Sequence, residues 1–163
     1  TPAEMVQRDR RFIPHVLVVP RGSKVDFPNK DNTRHHVYSF SAAKTFDIKL
    51  YASRPEKPVH FDKAGIVVLG CNIHDRMKAY ILVTEAARYG VTNIHGELTL
   101  DVPPNQPLRV RAWHPWAGSG EDAWQEWRVS GSADLETTLV LDVRPPPPRE
   151  KPLSDLQQRF NAL

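Results

Sequence analysis

Between residues 12 and 83 the chain breaks into seven short segments rich in β-branched and aromatic residues, 12–19, 24–27, 36–40, 45–50, 59–61, 66–69 and 79–83, punctuated by Pro, Gly or Asn. Runs this brief fall short of a stable helix and read as strands. The alternation in Val37-Tyr38-Ser39-Phe40 and in Phe46-Asp47-Ile48-Lys49-Leu50 gives each strand one apolar and one polar face, the pattern of two antiparallel sheets packed together. The sequence therefore predicts an all-β sandwich over residues 1–84. Further strand-like segments at 97–102, 108–113, 124–130 and 135–143, separated by Pro103-Pro104-Asn105 and Ala117-Gly118-Ser119-Gly120, predict a second, smaller β-sandwich over 85–144. The prolines of 145–148 favour an extended polyproline run and open a tail over 145–163. In that tail Ser154 would cap a short helix with Leu153, Leu156 and Phe160 on one side.

A chain of 163 residues has room for one domain or two small ones, which excludes a large multidomain enzyme. Although prolines number 15 against 8 glycines, 40% of the residues are hydrophobic and 9% aromatic, a folded profile. The longest apolar runs, 16–19 and 66–69, are far below the ~18 residues a bilayer span requires. Residues 1–84 carry 14 Lys and Arg against 8 Asp and Glu, a net +6, and the remainder 8 against 11, a net −3. The basic residues, among them Arg8, Arg10, Arg11, Lys24, Arg54 and Lys63, are scattered through the sequence and are not interleaved with aromatics, which argues against a nucleic-acid platform. A basic first unit is better suited to steering an acidic protein partner.

One cysteine, Cys71, cannot form an internal disulfide. It stands directly after the strand-like 66–69 in Gly70-Cys71-Asn72-Ile73-His74-Asp75-Arg76-Met77, with His at +3 and Met at +6. A strand end followed by a tight loop can bring a thiolate, an imidazole and a thioether to one point. Cysteine, two histidines and a weak axial methionine make the trigonal site that suits copper in electron transfer, and this loop supplies three of the four. The fourth is sought where the polar run 29–34 enters a strand at His35-His36-Val37. Adjacent strand residues point to opposite faces, so normally only one of His35 and His36 is a ligand. His15, His60, His95 and His114 read as surface or packing residues, and Trp113, Trp116, Trp124 and Trp127 as core.

The Asn29-x-Asp31-x-x-x-His35 entry and the Gly-Cys-x-x-His-x-x-Met loop some 35 residues later resemble the cupredoxins, the plastocyanin, azurin and amicyanin family, and the short Cys-to-Met loop is most similar to amicyanin. Over residues 12–84 the resemblance implies a Greek-key sandwich with type 1 copper at one end. It implies His35, Cys71, His74 and Met77 as ligands and puts His36 where the family has an Asn that braces the ligand loop. Together with Val102-Pro103-Pro104 and Ala112-Trp113-His114-Pro115, the chain resembles the periplasmic methylamine-utilization-protein-like family, in which a small carboxypeptidase-regulatory-like β domain follows the copper domain. The resemblance also implies a periplasmic, non-enzymatic carrier of single electrons between redox partner proteins, its leader removed. A copper storage or delivery module would use the same soft ligands. A red-copper-like catalytic site would instead recruit Glu56 or His36 in place of Met77. Cysteine hydrolase chemistry through Cys71 and His74 lacks an evident oxyanion loop, and a thioether is a poor zinc ligand.

Overall fold

The structure, a computed structural model, describes residues 1–71, 77–130 and 135–148. Among the described residues twelve strands follow in chain order: β1 (Ala3–Glu4), β2 (Val6–Arg8), β3 (Arg11–Ile13), β4 (Val16–Pro20), β5 (Ser23–Asp26), β6 (His35–Ser41), β7 (Lys44–Tyr51), β8 (Val59–Phe61), β9 (Gly65–Gly70), β10 (Lys78–Thr84), β11 (Pro107–Ala112) and β12 (Gln125–Ser130). Two 3-10 turns, Pro115–Ala117 and Glu121–Ala123, are the only helical elements among the described residues, and no helix is long and apolar enough to cross a membrane.

The expected all-β sandwich is what the first unit forms. A five-stranded sheet, β4-β10-β9-β6-β7, faces a three-stranded one, β1-β5-β8, and β2 pairs with β3 in a separate hairpin. Alternation decides which side chains fill the space between them. Val37 and Ser39 of β6 are buried, and so are Val67 and Leu69 of β9 and Ala79, Ile81 and Val83 of β10; they meet Val25 of β5 and Phe61 of β8. Phe46 of β7 reaches across to Phe61 and Phe27, ring centroids 6.1 and 5.8 Å apart, and so ties the two sheets together. Each fully buried Leu, Ile or Phe contributes roughly 1.5–3 kcal/mol through the water it sheds.

The segment 12–19, read as one strand, is two. Pro14 has no N–H to give a ladder, and the chain changes partners there: β3 pairs with β2, whereas β4 runs parallel to β10. Beyond residue 85, β11 and β12 form one antiparallel hairpin, while 97–102 and 135–143 carry no strand pairing among the described residues. Trp113 and Trp124 lay this unit on the outer face of the large sheet, against Ile66, Tyr80 and Leu82. Trp113 stacks edge-on with Tyr80 at 5.1 Å and donates its indole N–H to the Gly118 carbonyl at 2.7 Å. Trp116, expected in a core, is 50% exposed. Residues 145–148 have no regular structure, and the short helix expected around Leu153, Leu156 and Phe160 lies outside the described residues.

Candidate metal centre

β9 and β10 are antiparallel neighbours whose last pair is Gly70 with Lys78. Cys71 leaves one strand and Met77 enters the other, so both sit at the mouth of one hairpin, each 3% exposed. His74 belongs to the loop 72–76, outside the described residues. β6 borders β9 through the pair Tyr38 and Gly70 and delivers His35 from the other side. His35 is fully buried, and its Nδ1 lies 3.9 Å from Cys71 Sγ.

The alternation along β6 separates the two adjacent histidines. His35, Val37 and Ser39 face the core, while His36, Tyr38 and Phe40 face outward. His36 hydrogen-bonds through Nε2 to Asp47 of β7 and stacks edge-on with Tyr38 at 5.7 Å. Its described partners are thus Asp47 and Tyr38, on the face of the sheet opposite the one His35 occupies. Tyr38 lies so close over Gly70 that a Cβ on that glycine would sit 2.6 Å from the ring carbon bearing the hydroxyl. Gly70→Ala is expected to displace the Tyr38 ring and to cost about 1–3 kcal/mol. Thermal unfolding checks this, with Tyr38→Ala in the same chain restoring the loss.

The orientation of His35 comes from the polar loop of the Asn29-x-Asp31-x-x-x-His35 entry, whose side chains were given no role in the sequence reading. His35 Nε2 donates to Asp31 Oδ2 at 2.6 Å. The same carboxylate accepts the backbone N–H of Asp9 at 2.7 Å and of Arg10 at 3.0 Å. Asn29 pins the loop beneath: its Oδ1 accepts from the Asp31 N–H at 2.9 Å and its Nδ2 donates to the Thr33 carbonyl at 2.8 Å. Partial burial pushes the Asp31 carboxyl up, but the hydrogen bond from His35 and those from the Arg10 and Asp9 amides outweigh it and hold the group below its usual range. Asp31 is thus a carboxylate, and as a pure acceptor it holds an N–H on His35 Nε2 and turns Nδ1 to the side of Cys71.

These atoms fit a soft metal ion. At bond lengths of about 2.3 Å to sulfur and 2.0 Å to imidazole nitrogen, two donors to one ion lie about 3.5–3.9 Å apart, which is the separation of His35 Nδ1 and Cys71 Sγ. A carboxylate behind the distal nitrogen is the usual support for a ligating histidine. Asp31, His35 and Cys71 also line up as the orienting carboxylate, base and nucleophile of a cysteine hydrolase, but with the thiol 3% exposed and the imidazole wholly buried they are poorly placed to meet a substrate carbonyl. Among the described residues no three His, Cys, Asp or Glu side chains gather around one point, since His74 lies outside them and methionine is not of that set. Glu56 is exposed in the stretch between β7 and β8.

The other histidines are engaged in packing or at the surface. His15 stacks on Tyr80 at 5.4 Å, the His60 ring nitrogen is 3.1 Å from the Gly22 carbonyl, His95 is exposed in a turn, and His114 accepts the Trp116 N–H through Nδ1 at 3.0 Å.

No family model matches the chain, and no curated protein does. Among solved structures, a copper-containing nitrite reductase from Thermus scotoductus is 27% identical over 53% of this chain and 23% of its own, with a TM-score of 0.49. This chain therefore spans about a quarter of that protein's length. A reduced Cu(I) amicyanin variant is 16% identical over 51% of this chain and 82% of its own, TM-score 0.46. A purple cupredoxin from Nitrosopumilus maritimus is 18% identical over 50% and 99%, TM-score 0.45. None of these three likenesses reaches a TM-score of 0.5, so what can be said of the site rests on its own residues.

Proposed function

We propose that residues 1–84 form a cupredoxin copper domain that passes single electrons between protein partners in the periplasm, followed by a small carboxypeptidase-regulatory-like unit over 85–144 and a tail over 145–163. The observation that carries this reading is the buried 3.9 Å approach of His35 Nδ1 to Cys71 Sγ, with Met77 at the mouth of the same hairpin. Cys71 as thiolate, His35 and His74 as imidazoles and Met77 as a weak thioether would hold the ion. When bound, copper supplies a reversible one-electron couple at this donor set. The chain's own contribution is rigidity and dryness. Asp31 keeps His35 in one tautomer, the strand ends fix Cys71 and Met77, and burial excludes water, so little has to rearrange when charge changes. Tyr38, Phe40, Val68 and Lys78 line a groove that reaches Cys71 and Met77, and Phe40 is 78% exposed, which gives the site an approach from outside.

Copper-loaded protein is expected to show an intense thiolate-to-metal band in the visible, lost in Cys71→Ser and shifted in Met77→Ala. A colourless Cu(II) complex would sink the type 1 assignment. A Met77→Ala variant with unchanged spectrum and potential would favour the catalytic alternative. Rapid loss of metal to an acceptor protein, with no reversible redox cycling, would favour storage or delivery.

A further inference from the structure

Cationic residues that are scattered in the sequence are gathered by the fold onto one face next to His35. Arg8 and Arg11 are direct partners across the β2–β3 hairpin and so point to the same side of it. Gln7 forms a parallel bridge with Asn29 and accepts the Lys30 N–H at 2.8 Å, and the turn at Asp9 and Arg10 is held by Asp31. Residues 8–11 and 30–34 therefore make one continuous surface on which Arg8, Arg10, Arg11, Lys30 and Arg34 are all exposed. Set against Asp9 and Asp31, those five give a local charge of +3. That equals the formal charge of the entire chain, so the other residues sum to zero.

Three features of this face work against stability. Like charges directly opposite each other in a hairpin repel. Where the second hairpin repeats the arrangement, with Arg109 opposite Arg128, Glu126 relieves Arg109 at 2.9 Å; among the described residues none of the five cations here forms an ion pair. The two-residue turn takes left-handed φ values of 53° at Asp9 and 57° at Arg10, a conformation in which glycine at the second position is lower in energy than any residue with a Cβ. Arg10 is thus displayed where a stabilising sequence would end in glycine. Departures of this kind gather where function opposes stability.

We propose that this face is where an acidic protein docks to exchange electrons, an assignment that rests on the copper reading above. Asp31 joins the face to the site, since one carboxylate holds both the Asp9–Arg10 turn and the His35 imidazole. A protein is favoured over nucleic acid because the hairpin and loop present no exposed aromatic on which bases would stack; Phe12, the one aromatic there, is 4% exposed. Unpaired cations concentrated on one face steer an acidic partner and raise its encounter rate.

The test uses metal-free, 15N-labelled protein and a twelve-residue peptide of Asp and Glu, so that its outcome does not depend on copper. Shifts are expected at residues 8–11 and 30–34, with binding weakened about tenfold or more on going from low to physiological salt. Arg8→Glu with Arg11→Glu is expected to abolish the shifts, and Arg10→Gly, which keeps the turn, to weaken them; Arg109→Glu with Arg128→Glu is expected to leave them unchanged. Shifts spread over other surfaces, or tighter binding of a single-stranded oligonucleotide or of anionic vesicles at this face, would overturn the proposal. In protein loaded with Cu(I), oxidation to Cu(II) by hexacyanoferrate(III), one electron passing to each ferric complex, is expected to slow about tenfold in the Arg8→Glu, Arg11→Glu variant. An unchanged rate there would remove the electron-exchange role even if the peptide binds, whereas absence of any copper colour would refute the copper reading and leave the peptide result standing.

Discussion

Asp31→Asn is expected to lower copper affinity by about 10–100-fold while the chain still folds. The carboxylate serves three donors at once, the Asp9 and Arg10 amides and His35 Nε2–H. An asparagine side chain has one acceptor oxygen and an NH2 group, so in either orientation an N–H is set against another N–H. If the oxygen turns to the hairpin, the imidazole loses its acceptor and is free to move its proton to Nδ1, the nitrogen facing Cys71 Sγ, which blocks that lone pair. Competition titration with a chelator of known affinity measures the loss, and 15N spectra of the His35 ring in metal-free protein report the tautomer directly. Unchanged affinity with unchanged tautomer would show that the carboxylate only anchors the hairpin. The same group sets an acid limit on metal-free protein. Its folded pKa is depressed, so its stabilisation is present above about pH 4, the range of an unfolded aspartate, and is lost as the pH falls through the folded value. The difference in melting temperature between the parent and Asp31→Asn is accordingly expected to shrink below about pH 4.

How far the site and fold can be read from sequence depends on whether the cause is local. Cys71 and Met77 are legible because their six-residue spacing spans the mouth of one hairpin, and the strands β5 to β10 because they are short β-branched or aromatic runs set off by Pro, Gly or Asn, with alternation reporting the buried face in β6 and β7. Asp31 was in view as part of the Asn29-x-Asp31-x-x-x-His35 entry, yet nothing in the run says that it accepts the His35 N–H. What selects it is the turn at Asp9 and Arg10, twenty-odd residues earlier, that its two oxygens cap. The basic face is invisible for the same reason: it exists only once Gln7 bridges Asn29. β1 and β2 escape notice because strands of two and three residues are too short for a period to show. Segments 97–102 and 135–143 err the other way. Their alternation is strand-like, but alternation reports a surface able to pair, and in the described residues no strand pairs with it.

Phe61→Ala is expected to destabilise metal-free protein by about 3–5 kcal/mol, a large part of the ~5–15 kcal/mol that holds a domain together. The ring is wholly buried on the small sheet and stands edge-on to Phe46 of the large one, so truncation removes both the burial and the contact that joins the layers. Collapse around the hole is opposed by Phe27, which is itself fixed against Phe46 at 5.8 Å. The cavity term therefore adds to the transfer term. Phe40→Ala, removing an equally large ring that is 78% exposed, is expected to change stability by no more than about 0.5 kcal/mol. Denaturant titration of the two variants decides the matter, and a loss below about 1 kcal/mol for Phe61→Ala would mean that the sheets are not held by this aromatic layer, since such a loss is far under the cost of emptying a buried ring site. The measurement has to be made without copper. A ligand bound only by the native state at a thousand times its dissociation constant adds about 4 kcal/mol, as much as the missing ring takes away, and on the reading proposed for Cys71 and His35 a loaded sample would hide the effect.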